Sequence, residues 1–242
     1  MRVRLRFAKL GKVRFTSHRD LARIWERALR RADIPLVYSQ GFSPRPRLHF
    51  GLALPTGAES WAEYLDADLV DDTPVLDDLP GRLTPMLPSG IDVTAAAPVE
   101  AGTQSLQQAV VACDWRIEVL HDGGGDLTAA VERLLALDEL PLARERKGQV
   151  TVDDIRPYVE GLEVGEPTTA GIELVARLRT QPRGLRPAEA VAALGAGEAA
   201  VEGPAFTPGR IVRTHQWMQR DGARQEPLPT ATSAPHATAR AS

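Results

Sequence analysis

Residues 2–7 alternate strictly between two kinds of side chain, and this pattern is the strongest local constraint on the fold. The apolar positions are Val3, Leu5 and Phe7, and the arginines are Arg2, Arg4 and Arg6. A period of two residues predicts a half-buried strand with its apolar side chains against a core and its arginines on the opposite face. We therefore expect the chain to begin with a strand whose sheet is covered on one face.

A helix is predicted from Ser17 to about Ala32. Ser17 is a favourable N-cap residue, and Asp20 lies in the first turn as a short partner of a capping box. Apolar residues from Leu21 to Ala32 recur at the helical spacing and form one buried stripe. The opposite side of this helix carries Arg19, Arg23, Arg27 and Arg30.

Strand and helix patterns then continue in a recognisable order. Strands are predicted at 36–39, 48–54, 64–69 and 91–97, and a short or broken helix at 75–87, which contains Pro80 and Pro85. Apart from the short strand at 36–39, the resulting order is β-α-β-β-α-β, which is the ferredoxin-like order.

The same order is predicted again after a linker at 98–108. Strands are expected at 111–119, 172–179 and 211–218, an extended stretch at 142–159, a glycine-rich turn at 121–126, and helices at 127–137 and 187–194. The fold class is therefore α+β, with two ferredoxin-like halves in tandem, antiparallel sheets and helices on one face. The predicted parts are an N-terminal basic half at 1–100, a C-terminal half at 109–220 and a tail at 221–242. The tail contains few bulky apolar residues, so we expect it to be disordered.

Charge is divided unevenly along the chain, although the formal net charge is only −3. Residues 1–50 contain thirteen Lys or Arg against three Asp or Glu, and the acidic excess follows later. Such a division suggests an anionic partner for the first segment. Cys113 is the one cysteine, so an internal disulfide is impossible and the chain cannot supply the cysteine set of a structural zinc site or an iron–sulfur cluster. Because Cys113 alternates with apolar residues, it is expected in a core. No signal peptide or membrane-spanning run is present, which predicts a cytoplasmic protein without a membrane partner.

Several segments resemble a known family. They are GKVRFTSHRDL at 11–21, ERALRRA at 26–32, YSQGFSPRPR at 38–47, LPTG at 54–57 and EYLD at 63–66. Together they resemble the radical-SAM-linked bacterial protein family, a domain of unknown function, over about residues 1–220. The resemblance implies a stand-alone protein or a fusion behind a cobalamin-binding radical-SAM domain, in a genomic context of ribonuclease E/G and ribosomal proteins. This chain lacks the CxxxCxxC motif, so it resembles the stand-alone form. An iron–sulfur cluster, S-adenosylmethionine and cobalamin are then expected only in a partner.

The first candidate site is an arginine-rich surface of the N-terminal half. Guanidinium groups suit phosphate oxygens bidentately and stack on bases, so this surface would bind RNA with a strong salt dependence. Its predicted residues are Arg2, Arg4, Arg6, Arg14, Arg19, Arg23, Arg27, Arg45 and Arg47, and the last two lie on a proline-stiffened loop. The alternatives are pairing with the acidic second half of the chain and contact with a protein partner. Strand and helix arginines also point from different sides, so they need not form one patch.

Weaker candidates for catalysis are His18, His49 and Tyr38. A metal-independent ribonuclease needs a base and an acid near neutral pH, and histidine supplies both. The preferred hypothesis remains a non-catalytic RNA-binding or RNA-maturation accessory factor with no cofactor or metal of its own. The alternatives are a protein-binding subunit of a cobalamin-type radical-SAM enzyme and a metal-independent endoribonuclease of the RAMP type.

Overall fold

A computed structural model describes residues 1–70, 76–120, 125–146, 148–195, 206–220 and 222–228. The elements up to residue 100 are β1 (Arg2–Lys9), α1 (His18–Arg31), β2 (Leu48–Phe50), β3 (Glu59–Asp68), α2 (Leu79–Leu83) and β4 (Ile91–Val99). Those that follow are α3 (Leu106–Ala109), β5 (Val110–Leu120), α4 (Leu127–Ala136), β6 (Pro141–Arg146), β7 (Gln149–Asp154), β8 (Val159–Pro167), β9 (Gly171–Arg179), α5 (Pro187–Ala193), β10 (Thr207–Arg220) and β11 (Ala223–Gln225).

Helix α1 forms for the reasons that its sequence suggests. Ser17 is its N-cap, and the Ser17 side chain accepts a hydrogen bond from the Asp20 backbone amide at 3.2 Å. The buried stripe includes Trp25, whose ring meets Phe7 of β1 edge to face at 4.9 Å. The helix predicted from Ser17 is therefore confirmed, and it anchors the first apolar core.

A single mostly antiparallel sheet runs through both halves of the chain. Its order is β4-β1-β3-β10-β5-β9-β8, with β2 paired to β3 and β11 paired to β10, while β6 and β7 form a separate hairpin. Within this sheet the strands of the first half lie in the order β4-β1-β3-β2, and those of the second in the order β10-β5-β9-β8. The fold is therefore α+β, as predicted, with few helices on a large sheet.

Strand β10 joins the two halves. It pairs antiparallel with β5 and parallel with β3, through Val212 opposite Glu59 and Arg213 opposite Ser60. Behind this joint the buried Arg213 binds Glu63, with Nη2 donating to Oε1 at 2.6 Å. The predicted boundaries at 1–100 and 109–220 thus divide a chain whose two apolar cores share one sheet.

The structure differs from the predicted elements at several places. The strand expected at 48–54 ends at Phe50, although the Gly51 amide still donates to the Tyr64 carbonyl of β3 at 3.0 Å. The stretch at 142–159 is mostly the β6–β7 hairpin, and the predicted linker contains α3. Residues 222–228 also depart from the predicted disordered tail, because β11 pairs with β10. Residues 71–75, 121–124 and 229–242 lie outside the described residues. Most of the predicted glycine-rich turn at 121–126 and most of the predicted tail at 221–242 are among them.

Candidate nucleic-acid interface

Two of the β1 arginines are held by carboxylates of the neighbouring strand β3. Arg4 donates from Nε to Asp66 Oδ1 at 2.7 Å and from Nη2 to Oδ2 at 2.9 Å, and both side chains are buried. Arg2 binds Asp68 at 2.7 Å in a more exposed pair. The strand register places each arginine directly opposite its aspartate. The partners of both arginines lie within the N-terminal half itself, and both ends of the Arg4 guanidinium fork are already bound by Asp66.

The third β1 arginine is covered by the C-terminal segment, which we define as residues 222–228. Arg6 Nη2 donates to Glu226 at 3.1 Å, and the Tyr64 hydroxyl lies 3.4 Å from the same carboxylate. Leu228 packs against the apolar cluster that includes Tyr64. Burial, strengthened by the Glu226 charge, raises the pKa of Tyr64 well above its ordinary value. This end of the arginine face is therefore closed to a ligand while the segment is in place.

The arginines of α1 differ because they face outward. Arg19, Arg23, Arg27 and Arg30 are all exposed. Their spacing over eleven residues gives a row about 16 Å long on one side of the helix. Arg23 lies 3.3 Å from Asp20, an exposed pair that contributes little. For the other three, no carboxylate of the described residues is within ion-pair distance, so this row is available to an anion.

A groove of about 450 Å³ runs between α1 and the segment that follows α2. Its basic side is formed by Arg27, Arg30 and Arg31, and its apolar side by Ile24 with residues 85–88, which include Met86 and Leu87. The arrangement can hold a ligand that carries both negative charge and apolar groups.

Arg45 and Arg47 lie on the loop between α1 and β2, and both are exposed. The Ser39 amide donates to the Arg45 carbonyl at 2.8 Å, and the Arg45 amide donates back to Ser39 Oγ at 3.1 Å. These bonds hold the base of the loop in a hairpin-like shape. Neither guanidinium group has an ion-pair partner among the residues that the structure describes. Arg14, by contrast, pairs with the buried Glu59 at 3.4 Å and stacks over Phe15.

The three catalytic candidates do not meet in one site. His18 packs edge to face on Phe50 at 5.1 Å, on the side of β2 that contacts the first core. His49 precedes Phe50 in the same strand, so it faces the opposite side, where it lies 3.3 Å from Asp68. Burial alone would raise the pKa of Asp68, but its hydrogen bonds with Arg2 and His49 hold that pKa below the ordinary value. Tyr38 is on the loop, opposite Pro46. The two histidines are thus separated by the sheet and cannot act as an acid–base pair on one substrate.

Buried polar groups lie beside the β3–β10 joint, and Gln216 Oε1 among them has no hydrogen-bond partner within the described residues. Lys9 Nζ donates to the Thr16 carbonyl at 3.1 Å, and burial lowers its pKa. Cys113 is in the second core, as predicted, and burial raises the pKa of its thiol to about 11. A thiol that stays protonated at neutral pH is a poor nucleophile, so Cys113 is a packing residue.

A second groove of about 630 Å³ lies beside Trp61 where β3, β10 and β5 meet. Its charged groups are already paired: Arg210 binds Glu59 at 2.6 Å, and Arg116 lies 3.8 Å from Glu173. This groove therefore has fewer arginines without a carboxylate partner than α1 has.

No helix in the described part of the chain combines the length and apolar character that crossing a membrane requires. Within the same residues, no group of three or more His, Cys, Asp or Glu side chains is arranged to hold a metal ion.

The sequence predicted the exposed face of the α1 arginines correctly. It did not reveal that carboxylates of β3 and the C-terminal segment bind the β1 arginines. The alternating Asp66 and Asp68 of β3 were the available signal, since they match the period of the β1 arginines. Sequence reasoning also missed Phe42, a fully exposed aromatic residue at the tip of the arginine loop. No pattern in one sequence reveals that exposure.

Fold and surface together define an α+β protein with one shared, mostly antiparallel sheet and an outward-facing basic helix. The chain belongs to a family described as an uncharacterized protein conserved in bacteria (DUF2344), which matches residues 2–187. The match ends before β10, the strand that joins the halves. A search of curated proteins gives no match to this chain.

Proposed function

We propose that this protein is a non-catalytic RNA-binding or RNA-maturation accessory factor. The observation that carries the proposal is the row of exposed arginines on α1, three of which have no carboxylate partner among the described residues. Arg45 and Arg47 extend the same chemistry on the loop that follows the helix. Guanidinium groups without a carboxylate partner bind phosphate with little rearrangement and release counterions as they do so.

The proposed architecture is a pair of ferredoxin-like units. Its support is the strand order, β4-β1-β3-β2 in the first half and β10-β5-β9-β8 in the second. Ferredoxin-like domains such as the RRM bind RNA on the open face of the sheet. Here the β1 arginines on that face are paired, so the proposed RNA surface is the helical side.

The proposed cellular context follows from the resemblance to the radical-SAM-linked family. It is the cytoplasm, near the ribonuclease E/G or ribosomal system. The iron–sulfur cluster, S-adenosylmethionine and cobalamin would belong to a radical-SAM partner.

Fluorescence anisotropy with labelled RNA tests the proposal. Arg19→Gln with Arg27→Gln should weaken binding and reduce the slope of log affinity against log salt by about 1.4 for single strands. The matched control is Arg116→Gln with Arg179→Gln, which removes two exposed arginines that already pair with carboxylates. No binding at 50 mM salt, or equal losses in both double variants, would refute RNA binding by α1.

A protein-binding subunit is the second candidate, and the groove beside α1 favours it. The mixture of three arginines with Ile24, Met86 and Leu87 suits an acidic segment with apolar side chains on one face. Met86→Arg separates the two functions, because it blocks apolar insertion and adds a positive charge. Loss of a radical-SAM partner from pull-downs of nuclease-treated lysate, with RNA affinity kept, would favour docking. Retention of that partner by the variant would argue against this groove.

A further inference from the structure

Phe42 stands clear of the protein at the tip of the loop between α1 and β2. Its exposure is 110% of the reference value, compared with 61% for Phe15, another exposed phenylalanine. Burying a phenylalanine is worth about 1.5–3 kcal/mol, so a fully exposed ring offers that free energy to a ligand. Exposed aromatic residues are also frequent anchors of binding sites.

The loop holds this ring on a stiff support. The Val37 amide donates to the Asp68 carbonyl at 2.8 Å, the Arg47 amide to the Val37 carbonyl at 2.9 Å, and the Asp68 amide to the Arg47 carbonyl at 3.1 Å. Pro44 and Pro46 fix two further backbone angles near the tip. Gly41 has a φ of +130°, a conformation open to glycine and unfavourable for other residues. Because the base is ordered without a ligand, binding at the tip loses little conformational entropy.

The surroundings of Phe42 select among possible ligands. Its neighbours Gln40, Gly41 and Ser43 are polar or small and exposed, and the other exposed aromatic residue of the loop, Tyr38, is only 39% exposed, so Phe42 is the one fully exposed ring there. A membrane or a protein partner needs a broader apolar patch around such an anchor. A nucleobase needs one flat ring, with cations nearby for the phosphates. Arg45 and Arg47 supply these cations from the same loop, and neither has an ion-pair partner among the described residues.

We infer that this loop binds single-stranded RNA, with Phe42 stacked on an unpaired base and Arg45 and Arg47 on the adjoining phosphates. A duplex keeps its bases stacked on one another, so it cannot present a free face to Phe42. The inference rests on the proposed RNA binding and narrows it to single strands, loops or bulges.

The test compares Phe42→Ala with Phe42→Trp in the full chain, and Phe15→Ala is the matched control. The probes are a fluorescein-labelled single-stranded RNA 12-mer and a duplex RNA of equal length. Phe42→Ala should lose about 5- to 150-fold in affinity for the single strand and keep its affinity for the duplex. Phe15→Ala should bind both probes as the unchanged protein does. Phe42→Trp should bind the single strand normally, and the added tryptophan emission should be quenched as RNA saturates the protein.

Three results would overturn the inference. They are unchanged single-strand affinity in Phe42→Ala, an equal loss for the duplex, and tryptophan emission in Phe42→Trp that RNA does not alter. Binding to anionic phosphatidylglycerol vesicles that depends on Phe42 would also overturn it, in favour of a membrane contact. If the α1 variants weaken RNA binding while Phe42→Ala does not, the single-strand inference fails and the proposed function stands. If the unchanged protein binds neither probe, both fail.

Discussion

Asp66→Asn should strongly destabilise the protein because it removes the charge that holds Arg4. The two side chains are only 5% and 3% exposed, and their two hydrogen bonds measure 2.7 and 2.9 Å. At a charge separation of about 4 Å and an effective dielectric constant of about 20, their attraction is about 4 kcal/mol. Breaking a buried pair from one side costs about 3–5 kcal/mol, because the remaining charge stays buried. That is a large part of an ordinary unfolding free energy of about 5–15 kcal/mol.

The double variant Arg4→Met with Asp66→Leu should regain most of this loss. Replacing both members of a buried pair by apolar groups of similar size is often neutral or stabilising. Arg2 and Asp68 offer the matched comparison on the same two strands, since their side chains are 37% and 17% exposed. Water screens that pair, so Asp68→Asn should cost no more than about 1 kcal/mol.

Urea denaturation at pH 7, followed by tryptophan fluorescence, measures these free energies of unfolding. RNA anisotropy on the same samples separates a structural role from a binding role. A cost below about 1 kcal/mol for Asp66→Asn would refute the energetic reasoning. A stable double variant that has lost its RNA affinity would show that Arg4 contacts RNA after all.

Three further predictions concern the rest of the fold. The free energy of unfolding should fall by up to about 1.4 kcal/mol per pH unit as the pH rises from 9 towards 11. In this range the Cys113 thiol keeps its proton in the folded protein, whereas the thiol of the unfolded chain loses it. Urea midpoints of Cys113→Ala should lack that part of the decline, and identical profiles would contradict the assignment. Gly90→Ala should lower the free energy of unfolding by at least about 2 kcal/mol more than Gly102→Ala does, as measured by thermal melts. Both glycines have a positive φ, but only at Gly90 would the new Cβ meet a backbone oxygen, that of Leu10 at 2.2 Å. Glu226→Gln should lower the free energy of unfolding by about 1–3 kcal/mol, because Arg6 loses its charged partner. It should also speed proteolysis of the C-terminal segment. Unchanged stability would show that this segment is only loosely held.

Local patterns were sufficient for the elements that depend on nearby residues. Ser17, Asp20 and the apolar stripe up to Trp25 define α1 within a dozen positions, and the structure places the helix there. The alternation from Arg2 to Phe7 likewise identifies β1 and its faces. In both cases the deciding interactions are close in sequence or follow a simple period.

Non-local pairing decided what sequence reasoning missed. Arg4 and Asp66 are 62 residues apart, and Arg6 and Glu226 are 220 apart, so alternation could give the face of β1 but not the partners on it. The composition around Glu226 predicts disorder, yet hydrogen bonds from β1 and pairing with β10 hold this segment in place. The partners of the β1 arginines and the position of the C-terminal segment both depend on residues that are far apart in sequence.

The central place of β10 has a consequence for the order of events during synthesis. Residues 207–220 leave the ribosome after both flanking strands, β3 and β5, have been made. Until then β5 exposes a long unpaired edge, and β3 a short one at Glu59 and Ser60, which are the kind of edges that promote aggregation. The nascent chain therefore cannot complete its sheet until residues 207–220 have emerged, and a ribosome stalled before residue 207 would hold a protein with both of these additional edges open.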